Sequence, residues 1–227
     1  MLFSSVSYSK KFIFFKKFFD KVLLFYRLKI FIIFKQKIFF DSSTKILDVG
    51  TVSLLDNSEN VFIHKYPYKK NVTCLSNQDC SELLKIYPDI KIFVGDGRSL
   101  EFNDNTFDVV HSNATIEHVG SNDNQFQFVK ELIRVSKKYV FLTTPSRYFF
   151  FDLHTKYPLL HWFPKFLHRK ILKILGDKFF SLEENLNLLS KNDLINFCNR
   201  INNIEYNFFY NKIFFFNCNI ILLIKKK

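Results

Sequence analysis

Two polar segments of the sequence contain residues that could bind a ligand or move a proton. In the segment GDGRSLEF, Asp96 and Gly97 supply a carboxylate acceptor next to a backbone N–H donor. Such a pair can read an adenine edge, because the carboxylate accepts from the amino group and the N–H donates to a ring nitrogen. The second segment contains Asn113, Glu117 and His118, and a neutral imidazole is a suitable general base near pH 7.

The second segment allows two interpretations. His118 is the first candidate for a general base, and Glu117 could orient it or face the acceptor of the reaction. His154, which lies in a long insertion further along the chain, is a second candidate. Alternatively, Glu117 and His118 are an ordinary pair at the start of a helix and take no part in chemistry. The residues alone do not decide between these interpretations.

A third segment, KILDVGTVSLLDN, has the character of a buried strand that ends in a turn. Gly50 lets the backbone turn and approach a ligand closely, and Asp48 can bond loop N–H groups or a hydroxylated ligand. The segment has one glycine, so it lacks the G-x-G-x-x-G fingerprint of dinucleotide-binding loops. It could equally be a buried strand that ends in glycine.

A further polar group follows the segment VTCL. An acid often meets ribose hydroxyls at this place in nucleotide sites, and here the chain has Ser76, with Asn77 and Asp79 nearby. Ser76 or Asp79 could instead cap the following helix.

Strands that alternate with helices must position these groups. Short apolar runs predict strands at 46–49, 72–75, 92–94, 109–111 and 139–143, and two final strands at 204–210 and 219–224. Helices are predicted at 80–86, 124–135, 158–175 and 191–199. Such alternation predicts a parallel sheet with helical crossovers, and the final pair predicts an antiparallel hairpin. The polar segments follow the strands, where ligands bind in open parallel sheets.

The charge of the chain is strongly basic and uneven. The 227 residues have a net charge of +12. Residues 1–40 contain eight Lys and one Arg against a single acid, Asp20, which makes +8. Basic and aromatic residues together are typical of surfaces that bind nucleic acid or anionic membranes. No finger, RNA-binding signature or Gly-Arg repeat is present, so nucleic acid is not the expected partner.

Residues 8–38 predict one or two imperfectly amphipathic helices. They could pack on the domain, or lie at a membrane interface with their lysines at the headgroups. Their apolar runs are too short to span a bilayer, which needs about 20 apolar residues. The four cysteines form no C-x-x-C pair, so neither a zinc site nor a disulfide framework is indicated. We expect a cytoplasmic protein, with peripheral contact to the inner membrane face through residues 8–38 and 156–173.

Five motifs follow one another between residue 45 and about 225, and they are ILDVG, VTCLSNQD, GDGRSLEF, NTFDVVHSNATIEHVG and YVFLTTPSR. In this order they resemble the motifs of class I S-adenosylmethionine-dependent methyltransferases of the type 11 group. The run TTPSRYFFFDLHTKYPLLHWFP is similar to a bacterial subgroup with an altered glycine loop. The resemblance implies an α/β fold: a Rossmann-like, mostly parallel seven-stranded sheet with helices on both faces, a C-terminal antiparallel hairpin and an N-terminal helical extension. It divides the chain into a basic, aromatic-rich extension at 1–40 and a methyltransferase domain at 41–227 with a helical insertion at about 146–190.

The resemblance also implies roles for single residues. Asp48, Gly50 and Thr51 would shape the pocket for the methionine part of S-adenosyl-L-methionine. Ser76 or Asn77 would meet the ribose in place of the usual acid. The remaining cofactor contacts would be Asp96 and Gly97 at the adenine and Asn113 beside the fourth strand.

The resemblance implies methyl transfer to a small-molecule or cell-envelope acceptor, such as a sugar or a lipid-linked precursor, with His118, Glu117 and His154 as catalytic candidates. Some relatives bind a metal through an E-x-x-E-H arrangement. The first acid of that arrangement falls at Ala114 here, so no metal is expected. The alternative is a methyltransferase-fold protein that has lost catalysis and acts as a membrane-surface or protein-interaction module.

Overall fold

A computed structural model of the chain describes residues 10–55, 59–213 and 215–227, with side chains from residue 24 onward. Seven strands form one sheet in the order β3-β2-β1-β4-β5-β7-β6. They are β1 Ile46–Val49, β2 Val72–Ser76, β3 Lys91–Val94, β4 Phe107–Asn113, β5 Ser136–Pro145, β6 Ile204–Ile213 and β7 Phe216–Lys226. Strands β1 to β5 are parallel, and β7 lies antiparallel between β5 and β6. The predicted fold class is confirmed.

Five α-helices accompany the sheet in the described part of the chain. They are α1 Lys10–Lys37, α2 Val61–Lys65, α3 Asn122–Val135, α4 Lys165–Ile174 and α5 Lys191–Asn199. Ser121 caps α3 by accepting from the N–H of Asn124, and Ser190 forms a capping box with Asp193 at the start of α5. These local signals explain why both helices begin close to where the sequence predicts them.

The central strands are buried on both faces because helices cover both faces of the sheet. All residues of β1 and β2 are buried, as is typical of the inner strands of a parallel sheet. Strand β3, at the edge, is short and largely exposed. One core contains Leu47 and Val49 from β1 with Phe128 and Leu132 from α3.

The second core lies on the opposite face and includes the C-terminal half of α1. Ile30 and Phe34 of α1 are spaced four residues apart, and Ile38, just past its end, still donates its N–H to the carbonyl of Phe34, so the three side chains share one face and are buried. Phe34 packs edge-to-face against Phe62 of α2 and Phe141 of β5. This half of α1 therefore packs on the sheet. Residues 8 and 9 of the predicted helix lie outside the described residues.

Two helix predictions need correction, and one helix was missed. The predicted helix at 80–86 is a 3-10 turn, Ser81–Lys85. The predicted helix at 158–175 is a 3-10 turn, Leu160–Trp162, followed by α4, because Pro164 stands between them and its ring fixes an extended entry to α4. Helix α2 was not predicted, since five residues are too few to show a helical period.

The insertion leaves the sheet after β5 and returns before α5. A parallel bridge between Ser146 and Leu189 closes its base. Asn187 is buried and fastens its end to the loop after β4: its N–H donates to the carbonyl of Glu117, and its side-chain amide donates to the carbonyl of Gly120. The insertion is therefore attached directly to the segment that contains the acid–base candidates. Within the part of the chain that the structure describes, no helix is long and apolar enough to span a membrane.

Candidate functional site

The strand order reverses between β1 and β4, and the polar segments lie at the carboxyl ends of the strands around this point. β1 is hydrogen-bonded to β2 on one side and to β4 on the other. Chain connections diverge here, which leaves a crevice at the carboxyl edge of such sheets. Gly50, Ser76 and Asn113 lie at the ends of the three strands. The sequence correctly predicted that they share one edge.

Gly50 makes the turn after β1 with a φ of +97°, which favours glycine. A Cβ atom built here would lie 1.9 Å from Oγ1 of Thr115, so no larger residue fits without movement. The N–H groups of Gly50 and Thr51 both donate to the carbonyl of Leu75, at 2.9 and 3.3 Å. The turn is therefore closed onto the end of β2.

The loop beyond Thr51 is held by one buried side chain. The amide of Asn60 donates to the carbonyls of Val52 and Leu54 and accepts from the N–H of Val52. Residues 56–58 of the loop lie outside the described residues. Asn60 thus gives the described loop a fixed shape without further glycines, and sequence reasoning missed it.

Asp48 is buried, and both of its carboxylate oxygens have partners inside the protein. Oδ1 lies 2.6 Å from Nδ1 of His111, and Oδ2 accepts from the hydroxyl of Thr51 at 3.0 Å. The His111 ring stacks on Phe62 with the ring centroids 3.9 Å apart. Asp48 therefore fixes the end of β1 from the α1 side of the sheet. His111 was missed, although a histidine inside an apolar strand is a usable signal.

At the end of β2, Ser76 is buried and Asn77 is exposed. The hydroxyl of Ser76 accepts from the N–H of Gln78 at 3.3 Å. The carboxylate of Asp79 accepts from the N–H of Ser81, so Asp79 stabilises the following turn. The side chain of Asn77 is accordingly the more accessible of the two ribose candidates.

Asp96 is exposed and forms a two-pronged ion pair with Arg98. The hydrogen bonds from Arg98 hold the pKa of Asp96 below its usual range, and burial opposes this shift. Its neighbour Gly97 is packed closely, because a Cβ there would lie 2.4 Å from the Phe128 ring. An adenine amino group would compete with Arg98 for the carboxylate of Asp96.

Asn113 ends β4 and is tied to β5. Its side-chain oxygen accepts from the hydroxyl of Thr143. The next residue, Ala114, has a φ of +52°, and its N–H donates to the carbonyl of Thr143. The chain turns sharply here and then forms the 3-10 turn Ile116–His118, which places Glu117 under the insertion.

The structure brings the three acid–base candidates together. One ligand-type atom from each of Glu117, His118 and His154 lies within 4.8 Å of the others. Nε2 of His154 is 3.9 Å from Oε1 of Glu117, and the two imidazole rings are 4.9 Å apart between centroids. Glu117 is completely buried, whereas His118 is exposed. The insertion therefore completes a polar cluster beside the end of β4.

Each histidine of this cluster is held through Nδ1. Nδ1 of His154 lies 3.1 Å from Oδ1 of Asp152, and Nδ1 of His118 lies 2.7 Å from the carbonyl oxygen of Asn185. Burial lowers the pKa of His154, but the carboxylates of Asp152 and Glu117 outweigh it and raise the pKa above its ordinary value. Burial raises the pKa of Asp152, and its bonds to His154 and Thr155 bring it down to about 2.

Glu117 has one further partner that the sequence did not indicate. The hydroxyl of Thr144, on β5, donates to Oε2 of Glu117 at 3.0 Å. A hydroxyl residue in a strand carries no signal of its own, since its partner comes from another segment.

A cluster of basic side chains lies inside the insertion, around a small cavity. The residues around this cavity include Arg147, His161, Lys165, His168 and Arg169. Arg147 donates to the carbonyl of Phe163, and Arg169 donates to the carboxylate of Glu183. Burial lowers the pKa of His168 to about 4. Arg147 and Arg169 are therefore engaged in holding the insertion together.

Comparison with known proteins agrees with this architecture. Residues 65–143 match the family model described as a methyltransferase domain. A search of curated protein sequences gives no match.

Solved structures match over most of the chain. An S-adenosylmethionine-dependent methyltransferase of Methanosarcina mazei has a TM-score of 0.52 at 16% identity, covering 82% of this chain and 94% of its own. A second methyltransferase, of Thermotoga maritima, is described as a possible histamine N-methyltransferase and has a TM-score of 0.56 at 15% identity, with coverages of 94% and 97%. The cyclase SpnF has a TM-score of 0.52 at 10% identity, with coverages of 81% and 74%. At these identities the likeness concerns the fold.

Proposed function

We propose that this chain, which carries a methyltransferase domain with the class I S-adenosylmethionine-dependent fold, transfers a methyl group from S-adenosylmethionine to a small-molecule acceptor. The observation that carries the proposal is the cluster of Glu117, His118 and His154. Glu117 and His118 follow the strand that ends at Asn113, and the insertion brings His154 to them, so acid–base groups adjoin the edge where the cofactor would lie.

The residues at this edge fit such a cofactor. Glycine at positions 50 and 97 leaves room for the side chains of Thr115 and Phe128, so both turns pack closely at the edge where the cofactor would lie. Asn77 is the accessible partner for ribose hydroxyls, with Ser76 as the buried alternative. Asp96, released from Arg98, would accept from the adenine amino group. Thr51 and Asp48 would act on the methionine part through the shape of the turn.

S-adenosylmethionine supplies a methyl group on an activated sulfonium, and the protein contributes binding and alignment. A general base matters when the acceptor must lose a proton, as a hydroxyl must. His118 is exposed and can meet an acceptor directly. His154 is held by Asp152 and is the alternative base. Glu117, which lies beside both of them, would orient the base or stabilise the charge that develops on it.

The insertion supports a lipid-linked or anionic acceptor at a membrane face. The outer face of α4 exposes Phe166 and Ile174, at 73% and 75% of their full areas, beside Lys170 and Lys173. Large apolar side chains between lysines are the pattern of a surface that rests on anionic headgroups. We place the protein on the cytoplasmic face of the membrane, held by residues 156–173 and by the basic part of residues 8–38.

Titration calorimetry with S-adenosylhomocysteine tests the proposed function. We expect saturable binding at micromolar ligand. The absence of binding at millimolar ligand would contradict the enzyme interpretation. Transfer of a labelled methyl group into an envelope extract then tests for an acceptor.

A second function is favoured by two contacts at the edge of the sheet. Arg98 occupies the carboxylate of Asp96, and the turn amides of Gly50 and Thr51 donate to Leu75 rather than outward. Both contacts suit a domain that no longer binds the cofactor and serves as a membrane-surface or protein-interaction module. The fold itself does not separate the two functions, because one fold hosts different activities. The same titration distinguishes them.

A further inference from the structure

We propose that Glu117, His118 and His154 bind a divalent metal ion. The sequence indicated no such site, because Ala114 stands where an E-x-x-E-H arrangement needs its first acid. The structure supplies a third ligand from elsewhere: His154 comes from the insertion, 37 positions along the chain from Glu117, and meets it across the end of β4.

The carboxylate of Glu117 points to a missing partner. Its side chain is completely buried, and Oε2 accepts from Thr144. Within the described residues, Oε1 is buried without any hydrogen-bond partner. A buried polar atom without a hydrogen bond is costly, and native proteins rarely leave such an atom unsatisfied. The atom that lies near Oε1 is Nε2 of His154, at 3.9 Å, which is too far for a hydrogen bond.

A cation between these atoms would satisfy both of them. Metal bonds to imidazole nitrogen and carboxylate oxygen are about 2.0–2.2 Å long, so two ligands of one ion lie about 3–4 Å apart. The separation of 3.9 Å between Glu117 and His154 already falls in that range. The widest separation in the cluster, within 4.8 Å, needs only a small side-chain movement.

Both imidazoles are held in the way that metal-binding histidines are held. Metal ligands usually donate their second N–H to a carboxylate or a backbone carbonyl, which fixes the tautomer and the ring. Asp152 does this for Nδ1 of His154, and the carbonyl of Asn185 does it for Nδ1 of His118. When Nδ1 carries the proton, the lone pair of the neutral ring resides on Nε2.

The ligand set selects the class of metal. Two imidazoles and one carboxylate suit Zn²⁺, Fe²⁺, Mn²⁺ or Co²⁺, whereas Mg²⁺ and Ca²⁺ prefer oxygen ligands alone. Three protein ligands leave coordination positions open. If the proposed methyl transfer is correct, an acceptor hydroxyl could occupy one of them, and the ion would lower its pKa.

The experiment is a titration of the full chain, freed of metal, with Co²⁺ by visible absorption and with Zn²⁺ by calorimetry. We expect one ion per chain. Glu117→Gln and His154→Ala should each weaken binding at least tenfold, and Asp152→Asn should weaken it less, because it only orients His154. The matched control is His64→Ala, a histidine of α2 outside the cluster, which should bind as the wild type does.

The proposal would be overturned if His154→Ala bound the metal as tightly as the wild type does. It would also be overturned if the wild type bound the metal no more tightly than Glu117→Gln. Circular dichroism of each variant excludes misfolding. Titration of the same samples with S-adenosylhomocysteine separates this outcome from failure of the proposed function, because the proposed cofactor contacts at Gly50, Asn77 and Asp96 come from other strands.

Discussion

Asp48 and His111 form a buried pair across β1 and β4, with Oδ1 and Nδ1 2.6 Å apart. They are direct partners in the parallel register of the two strands, although 63 positions separate them in the chain. The pair lies at the point where the strand order reverses. It therefore joins the two halves of the sheet beneath the candidate cofactor edge.

His111→Phe should destabilise the protein, because it leaves the buried carboxylate of Asp48 with Thr51 as its remaining side-chain partner. Loss of one partner of a buried pair costs about 3–5 kcal/mol, and the retained bond from Thr51 should reduce this to about 2–4 kcal/mol. Urea unfolding measures the change. A double-mutant cycle with Asp48→Asn tests the coupling. Asp48→Asn should lower the unfolding free energy much less in the His111→Phe background than in the wild type. Additive effects would contradict the coupling.

Gly50→Ala should weaken folding and cofactor binding together, since the new Cβ would collide with Oγ1 of Thr115. Gly176→Ala is the matched control: its φ is also positive, at +86°, but no atom of the described residues lies within 4 Å of the added Cβ. The unfolding free energy of the control should fall by only about 1 kcal/mol, which is the backbone cost of a positive φ for alanine. Equal losses in unfolding free energy for the two variants would show that the contact with Thr115 does not matter.

Asp96→Ala should weaken the binding of S-adenosylhomocysteine at least tenfold, because it removes the acceptor for the adenine amino group. Arg98→Ala should leave binding unchanged or strengthen it several-fold, since it releases the carboxylate from its ion pair. Calorimetry measures both variants. Unchanged affinity for Asp96→Ala would mean that the adenine lies elsewhere.

Phe166→Ser combined with Ile174→Ser should reduce co-sedimentation of the full chain with vesicles that contain phosphatidylglycerol. These residues form the exposed apolar part of α4. Phe39→Ser is the control, because Phe39 is 88% exposed but lies outside the insertion. If the double variant sedimented with the vesicles as fully as the wild type, the membrane contact would lie elsewhere. The basic part of α1 would then be the next segment to test.

Stability should fall as the pH is lowered from 7 towards 4, partly because of His168. Burial holds the pKa of His168 at about 4 in the folded protein, against 6.5 for an ordinary histidine. The nearby charges are mixed: Asp152 raises this pKa, whereas His161, Arg147 and Arg169 lower it. Between pH 6.5 and 4 the unfolded chain binds the extra proton, so the folded state loses stability.

For His168 alone this loss reaches about 2 kcal/mol at pH 5. His168→Leu removes the titrating group and should lose less stability than the wild type between pH 7 and 5. Urea unfolding at both pH values gives the comparison. Parallel losses in the two proteins would show that His168 is protonated in the folded state as easily as in the unfolded chain.

The sequence by itself determined the strands, the sheet class and the edge at which the polar segments lie. Local patterns suffice for this, because buried parallel strands are apolar runs and ligands meet such sheets at their carboxyl ends. The positions of Asp48, Ser76, Asp96 and Asn113 at the carboxyl ends of the first four strands therefore followed from the chain alone.

The tertiary structure alone decided which side chains meet. Asp48 pairs with His111 because β1 and β4 are neighbours, and Glu117 meets His154 because Asn187 fastens the insertion onto the loop after β4. Such contacts join segments far apart in the chain and have no local period or spacing. For that reason His154, predicted from the sequence as a candidate separate from the neighbours Glu117 and His118, joins them in one site only in the folded protein.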